Sequence, residues 1–122
     1  MSYSILAINP GSTSTKIAWF EDEALLFFEQ AEHSDEDFAG FSDILEQLDF
    51  RLEVIRAVLT KHQADLSRLN AVVGRGGLLP PVNAGGYLVN ERLKNVIQSG
   101  NLSPHASNLG ALLADRIAAP LN

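Results

Sequence analysis

The first stretch of sequence that could do chemistry is residues 9–16, which read Asn-Pro-Gly-Ser-Thr-Ser-Thr-Lys. Gly11 carries no side chain, so the backbone there can approach a ligand closely. Hydroxyl side chains follow it and Lys16 adds a positive charge, and a turn with these groups can hold phosphate oxygens. Asn9 could direct its amide oxygen towards a metal-bound water. The hydroxyl residues are Ser12, Thr13 and Ser14.

Two well-known phosphate-binding patterns do not describe this segment. The Walker A pattern needs a second glycine where Thr15 stands and a serine or threonine where Ile17 stands. A dinucleotide-binding fingerprint needs a helix directly after the glycines, whereas the residues that follow Ser14 have the composition of a β-strand. A hairpin turn rich in glycine and serine, with no ligand, is therefore the alternative interpretation.

A second candidate is Arg75, which lies in a glycine-rich stretch directly after a short apolar segment. An arginine between glycines has room to present its planar guanidinium to a carboxylate or a phosphate with two hydrogen bonds. Leu78 begins an apolar run that could wall off a pocket beside it. The alternative is an arginine on the surface of a glycine-rich turn. The neighbouring glycines are Gly74, Gly76 and Gly77.

The third candidate segment is 103–108, which reads Ser-Pro-His-Ala-Ser-Asn. Ser103 followed by Pro104 predicts a helix start, with the hydroxyl as N-cap and proline in the first turn. Helix N-termini favour anions, and His105 could donate a hydrogen bond to one. A surface histidine without a ligand is the alternative, and Asn108 could bond only to the local backbone.

The spacing of apolar residues predicts the elements that must position these segments. Short strands over 3–9, 14–20 and 24–30 with tight connections predict an antiparallel meander. From about Ser42 the apolar residues recur every three or four positions, which predicts a helix over 43–62 with Ser42 as its N-cap.

The second half of the chain completes an α/β pattern. A strand over 70–74 follows the long helix, and strand, helix, strand is a crossover unit, so this strand should lie parallel to the first. Asn90 predicts the start of a helix that runs to about Gln98, and a last helix should run from Ser103 through Ile117. Ligands of α/β sheets bind beyond the carboxyl ends of such strands.

Composition excludes several classes of protein. The 122 residues fit one domain, and a formal net charge of −6 argues against general nucleic-acid binding. Without cysteine there is no disulfide framework and no zinc–thiolate site. The N-terminal apolar run is too short for a signal peptide or a membrane span, so we expect a cytoplasmic protein without membrane partners. His33 and His62 lie in polar or helix-end contexts and receive no role.

The three segments, taken in this order, resemble the butyrate kinases of the acetate and butyrate kinase family. The segment Asn-Pro-Gly-Ser-Thr-Ser at residues 9–14 is the most specific part, and the similarity continues through Gly-Arg-Gly-Gly at 74–77 and Pro-His-Ala-Ser-Asn at 104–108. The resemblance implies an actin-like ATPase lobe of the ribonuclease H-like type. It also implies transfer of a phosphoryl group between ATP and a short aliphatic carboxylate, giving ADP and an acyl phosphate, with Mg²⁺ as cofactor.

The resemblance also implies roles for individual residues. Asn9 belongs near the metal, while Arg75 holds the carboxylate and His105 hydrogen-bonds the transferring phosphoryl group. The phosphate-binding positions are Gly11, Ser12, Thr13, Ser14 and Lys16. The positions expected around the substrate, besides Arg75, are Gly76, Gly77, Leu78 and Asn108.

Two departures from the family pattern matter. Acetate kinases carry alanine where Pro10 stands and Val-Val-His-Gly-Gly after the arginine, which favours butyrate or a branched-chain acid here over acetate or propionate. Family members are also much longer. The chain is therefore expected to be a truncated N-terminal lobe, residues 1–122, of a two-lobed acyl kinase that forms a homo-oligomer at full length. Alone it should be inactive, because the second lobe and its catalytic aspartate are absent.

Two other functions remain open at this stage. The chain could be a non-catalytic binding module with the same fold. It could also come from a sugar kinase or another ATPase of the same superfamily, although those usually place aspartate where Asn9 stands.

Overall fold

The first three strands form an antiparallel meander, as predicted. The computed structural model describes residues 2–77, 83, 85–99 and 104–121. The strands are β1 (Ser4–Pro10), β2 (Ser14–Glu21) and β3 (Ala24–Glu32). Asp22 makes the tight turn between β2 and β3 in the left-handed region, with φ of 53°, which aspartate tolerates better than most residues.

The fourth strand, β4 (Ala71–Gly74), lies parallel to β1, which confirms the crossover prediction. The sheet order is β3-β2-β1-β4, so β1 is central and has an antiparallel neighbour on one side and a parallel neighbour on the other. The chain between β3 and β4 includes a one-turn helix, α1 (Asp35–Phe38), and the long helix α2 (Leu48–Lys61).

The long helix begins later than predicted, and Ser42 is not its N-cap. A 3₁₀ turn over Ile44–Gln47 comes first, and Asp43 caps it by accepting a hydrogen bond from the Leu45 amide. The Glu46 carboxylate reaches back to the amides of Ser42 and Asp43. Ser42 and Asp43 are both residues that can cap a helix. Asp43 forms the capping box with Glu46, and the 3₁₀ turn therefore begins directly after Asp43.

The last helix also begins later than predicted. Helix α3 (Glu91–Gln98) is capped by Asn90 as expected. However, Pro104 is not in a first helical turn, because the chain is still extended at His105. His105 caps a 3₁₀ turn over Ala106–Leu109, and helix α4 (Gly110–Ala118) follows. The predicted cap Ser103 lies outside the described residues.

The hydrophobic core occupies one face of the sheet. Alternate residues of β1 are buried, with Leu6 and Ile8 under the helices. Helix α2 packs over β2, and α4 packs over β1 and β4. Within the described residues, no helix combines the length and the apolar composition needed to cross a membrane. The core side chains contributed by helices α2 and α4 include Ile55, Leu59, Leu112, Leu113 and Ile117.

A close backbone contact fixes the segment after β4 against the start of α4. A β-carbon added at Gly110 would lie 2.2 Å from the Arg75 carbonyl oxygen, and one at Gly74 would lie 2.1 Å from the Gly110 carbonyl oxygen. Neither position has room for a methyl group, so the two glycines let β4 and α4 approach at backbone distance. This contact determines where Arg75 emerges from the sheet.

We expect Gly110→Ala to destabilise the protein, although alanine is ordinarily favoured over glycine in a helix by about 1 kcal/mol. The added methyl group must push the Arg75 carbonyl away, which should cost about 1–3 kcal/mol. Denaturant unfolding monitored by circular dichroism measures the change. Gly76→Ala is the matched control, because nothing lies within 4 Å of its added β-carbon. Equal stability of the two variants would contradict the contact.

Candidate functional site

Strand register places two cations and one amide side by side on the sheet face opposite the core. Asn9 of β1 pairs with Lys16 of β2. On the other side, the Arg75 amide donates to the Ile8 carbonyl at 2.9 Å, which extends the parallel pairing one residue past the end of β4. Asn9, Lys16 and Arg75 line one open cavity of about 290 Å³. It lies at the carboxyl ends of the two parallel strands, where a ligand of an α/β sheet is expected.

The floor of this cavity is apolar. Two residues before Asn9 on β1, a row of neighbouring residues crosses all four strands on the same face of the sheet. Two alanines at its centre leave a depression, and the larger side chains at either end are about half exposed. The cavity therefore combines positive charge at one end with an apolar surface at the other. The row is Phe28, Ala18, Ala7 and Val73.

Asn9 has the one buried side-chain oxygen or nitrogen atom without a hydrogen-bond partner in the described part of the chain, its Oδ1. An unpaired buried amide oxygen costs free energy, and it could accept a hydrogen bond from a water bound to Mg²⁺. Nowhere in the described residues do three His, Cys, Asp or Glu side chains gather as a metal site. The residues present fit a cation that Asn9 would contact through a bound water, and whose own ligands would be water and phosphate oxygens.

The turn between β1 and β2 is held from below by Arg51 of α2, a residue with no solvent exposure. Its Nη2 donates to the Gly11 carbonyl at 2.7 Å, and its Nη1 donates to the Ser14 carbonyl at 2.9 Å. The Gly11 amide also donates to the Ser14 carbonyl at 2.8 Å, which closes the turn. Arg51 thereby fixes the main chain on both sides of the exposed residues Ser12 and Thr13.

Arg51 reaches two further groups. Nη1 also donates to the Thr15 hydroxyl at 3.0 Å, and Nε donates to the Gln47 side chain at 3.1 Å. The Thr15 hydroxyl lies 2.8 Å from Nε2 of His33, which is buried. The rings of Phe38 and Phe50 pack edge-on against the His33 imidazole and exclude water from this side of the turn.

The predicted phosphate-binding residues of the turn divide into two groups. Ser12 and Thr13 are exposed, so their hydroxyls can meet a ligand. Ser14 is buried, and its carbonyl already accepts bonds from Arg51 and Gly11. We therefore assign Ser14 to the turn's own structure through its main chain, whereas its hydroxyl role stays a prediction.

His105 is exposed, with one nitrogen already in use. Its Nδ1 accepts from the Ser107 amide at 3.0 Å and lies 2.7 Å from the Ser107 hydroxyl. A backbone N–H can only donate, so Nδ1 is unprotonated and the neutral ring carries its proton on Nε2. The capping contact thus leaves Nε2–H as a donor, which is the form that the predicted hydrogen bond to a phosphoryl oxygen requires.

Asn108 and Gly77 lie against each other. A β-carbon at Gly77 would come within 2.2 Å of the Asn108 Oδ1, so only glycine fits there. Asn108 is buried and lines a second cavity of about 270 Å³, whose other walls are mainly apolar. No such constraint applies at Gly76. Leu78, predicted to contact the substrate, lies outside the described residues. The apolar wall residues of the second cavity are Ile44, Leu45, Ile97 and Pro104.

Two residues that support the turn, Arg51 and His33, were not predicted from the sequence. A signal for Arg51 was present, because it stands three residues after Leu48 and four before Ile55, on the buried stripe of α2. A charged residue on that stripe must bury its charge and find hydrogen-bond partners. His33 carried no comparable signal, since it follows a polar strand end and its burial depends on distant phenylalanines.

Comparison with known proteins gives one consistent result. A protein of Listeria monocytogenes named "Probable butyrate kinase" is 48% identical over 118 residues, which are 97% of this chain and 33% of that protein. A protein of Clostridium botulinum with the same name is 45% identical over 122 residues, which are 100% of this chain and 34% of that protein. No family model matches the chain. The chain is therefore a homologue of proteins named probable butyrate kinase and spans about a third of their length.

The environment of His33 generates a prediction about pH. Burial, and secondarily the Arg51 charge, lower the pKa of His33, while Asp37 and Glu32 oppose this. A lowered folded-state pKa means that the unfolded chain binds the proton first, so stability should fall as pH drops below about 6.5. Above that pH the contribution is fully present. Denaturant unfolding between about pH 7.5 and pH 5 measures the slope, which one proton limits to about 1.4 kcal/mol per pH unit.

His33→Gln should reduce this slope, because glutamine does not titrate. The carboxyl groups of Glu29 and Glu46, whose pKa values are lowered, are present in both wild type and His33→Gln, so the difference between the two slopes reports His33. An unchanged slope in His33→Gln would show that His33 is not held neutral.

Proposed function

We propose that the chain is part of an enzyme that transfers a phosphoryl group between ATP and a short-chain carboxylate, in either direction. The acid is butyrate or a branched-chain acid of similar size. The homology to proteins named probable butyrate kinase supports this proposal. The observation that carries it is the arrangement of Lys16, Arg75 and Asn9 around one cavity beside the turn of residues 11–15.

We further propose that residues 1–122 form an actin-like N-terminal lobe of a two-lobed protein. The support is topological. A three-stranded meander leads through a helix to a fourth strand that lies parallel to the first, and helices cover one face. The chain spans about a third of its relatives' length, and the remaining two thirds of such a protein are long enough to form a second lobe.

The proposed reaction needs cations more than it needs covalent chemistry. A carboxylate oxygen attacks the γ-phosphorus, the bond to the β-phosphate oxygen breaks, and ADP leaves while the acyl phosphate forms. Such transition states are stabilised by positioning and by neutralising the equatorial phosphoryl oxygens. Lys16 is suited to the phosphates as a compact charge, and Arg75 to the carboxylate as a planar fork. His105 Nε2–H would donate to the transferring group.

Magnesium would supply further neutralisation of the phosphate oxygens when bound. Asn9 is the residue of this chain that would face its hydration shell, since its Oδ1 has no other partner. The turn itself contributes the exposed hydroxyls of Ser12 and Thr13. The described residues thus offer positive charge and donors, while the adenosine pocket would have to come from the rest of the full-length protein.

Arg75→Ala in the full-length protein should lower kcat/KM for acyl phosphate formation by about 30-fold to several thousand-fold, equivalent to about 2–5 kcal/mol. The loss follows because the carboxylate would keep its charge without its bidentate partner. Arg75→Lys should recover only part of the activity, since an ammonium group cannot form the fork. A coupled assay for ADP, run with trapping of the acyl phosphate, measures both values.

The control is Arg56→Ala, which removes an exposed arginine from the outer side of α2 and should leave kcat/KM unchanged. Full activity of Arg75→Ala would show that the carboxylate binds elsewhere. A wild-type protein that forms no acyl phosphate at all would instead favour the alternative of a non-catalytic binding module.

Butyrate should be preferred over acetate by the full-length protein, judged by kcat/KM. Gly76 and Gly77 followed by an apolar run replace the acetate-type sequence after the arginine, which would place an apolar wall beside Arg75 for a longer chain to contact. Each additional buried methylene contributes about 0.8 kcal/mol, so two should give a preference on the order of tenfold. Equal efficiency for acetate, propionate and butyrate would contradict this assignment.

A further inference from the structure

Arg51 is an unusual residue to bury completely. Its side chain has no solvent exposure, and its pKa is lowered to about 10 by desolvation, which still leaves it charged at neutral pH. Buried charges are ordinarily paired with an opposite charge. In the described part of the chain no carboxylate forms an ion pair with it. Its partners are two carbonyls, a hydroxyl and an amide oxygen, all neutral.

Stability alone does not account for this choice. An apolar side chain of similar size, packed against Phe38, would avoid the cost of desolvating a cation. What an apolar residue cannot do is bind two main-chain oxygens three residues apart. The Gly11 and Ser14 carbonyls are bound at 2.7 and 2.9 Å, and they enclose the exposed Ser12 and Thr13.

The bonds also leave a positive charge directly beneath the turn. The Phe38 ring covers the guanidinium at 5.3 Å and keeps water from screening it on that side. Lys16, one residue beyond Thr15, adds a second charge on the opposite face of the sheet. A turn with fixed geometry, exposed hydroxyls and an unneutralised cation below it is suited to a polyanion rather than to a single carboxylate.

We infer that Arg51 is the positioning residue of the turn at residues 11–15, and that it holds this turn in the geometry that binds the phosphates of the nucleotide. The inference rests on the proposed function. Arg51 does not touch the ligand. It acts through the carbonyls of Gly11 and Ser14, and Thr15 couples the guanidinium to the start of β2. Arg51 should not affect binding of the carboxylate, because the carboxylate is held by Arg75 and not by the turn.

The test compares Arg51→Lys with wild type in the full-length protein. Lysine keeps the charge but cannot bind both carbonyls in one plane. We expect the Kd and KM for ATP to rise by at least about tenfold, the effect of losing one charge-assisted hydrogen bond that sets geometry. The KM for the carboxylate should change less than about threefold. Isothermal calorimetry and steady-state kinetics give these values well below the melting temperature.

Two controls separate positioning from folding. Arg56→Lys, on the exposed side of the same helix, should leave every value unchanged. Thr15→Val removes one acceptor of Arg51 at nearly constant volume and should raise the KM for ATP, whereas Thr15→Ser, which keeps the hydroxyl, should restore it. This pair keeps the inference testable if Arg51→Lys does not fold. Amide hydrogen exchange of residues 11–15 should be faster in Arg51→Lys without ligand.

The outcomes are distinct. Unchanged ATP binding in folded Arg51→Lys, or a KM for ATP in Thr15→Val equal to wild type, overturns the inference while leaving the proposed reaction intact. Equal increases of both substrate KM values indicate a general structural role and also overturn it. A wild-type protein whose ATP affinity falls in Arg51→Lys, but which forms no acyl phosphate, supports the inference and refutes the proposed reaction.

Discussion

The candidate site depends on one buried cation. Arg51 joins the long helix to the first hairpin by hydrogen bonds to Gly11, Ser14 and Thr15, residues 36 to 40 positions away in sequence. The hairpin turn would otherwise be an exposed, glycine-containing loop with several accessible conformations. Because the guanidinium is planar and its partners are main-chain oxygens, the geometry of the turn is fixed by the position of α2 on the sheet. The position of α2 is in turn fixed by its apolar contacts, such as Ile55 and Leu59.

Strand register provides the second constraint. Side chains alternate between the two sheet faces, so a shift of one residue in the pairing of β1 would move Asn9 into the core. The pairings of β1 with β2 and with β4 agree on one arrangement, in which Asn9 stands between Lys16 and Arg75. The same register puts Leu6 and Ile8 under the helices. Burial of the core side chains therefore also fixes the positions of Lys16 and Arg75 on the opposite face, and no direct interaction between these two residues is needed.

Close backbone packing supplies the third constraint. Gly74 and Gly110 allow the end of β4 to lie against the start of α4, and Gly77 fits against Asn108. Through these contacts the glycine-rich segment after β4 and the segment that carries His105 lie together at one edge of the sheet. The proposed chemistry gains from this arrangement, because phosphoryl transfer depends on donors and cations held in fixed positions more than on their intrinsic strength.

The sequence by itself determined the elements and the order of the candidate segments. Apolar periodicity predicted the meander, the long helix and the parallel fourth strand, because burial of apolar side chains is read directly from spacing. Short local motifs, which resemble those of a known family, pointed to Asn9, Lys16 and Arg75. The prediction of Ser42 as a helix N-cap was wrong, because Asp43 caps the turn that comes first. The predicted cap Ser103 lies outside the described residues. Capping depends on which side chain closes the hydrogen bonds, and apolar spacing does not determine this.

Only the tertiary structure decided which groups support the turn and which face a ligand. The roles of Arg51 and His33 arise from contacts between residues far apart in sequence, and the local pattern around each is that of an ordinary helix or strand end. Likewise, Ser12 and Ser14 are equivalent hydroxyl residues in the sequence, yet one is exposed and the other is buried with its carbonyl bound to Arg51. Charge and hydrogen-bonding capacity are properties of a residue, whereas burial and partners are properties of the fold.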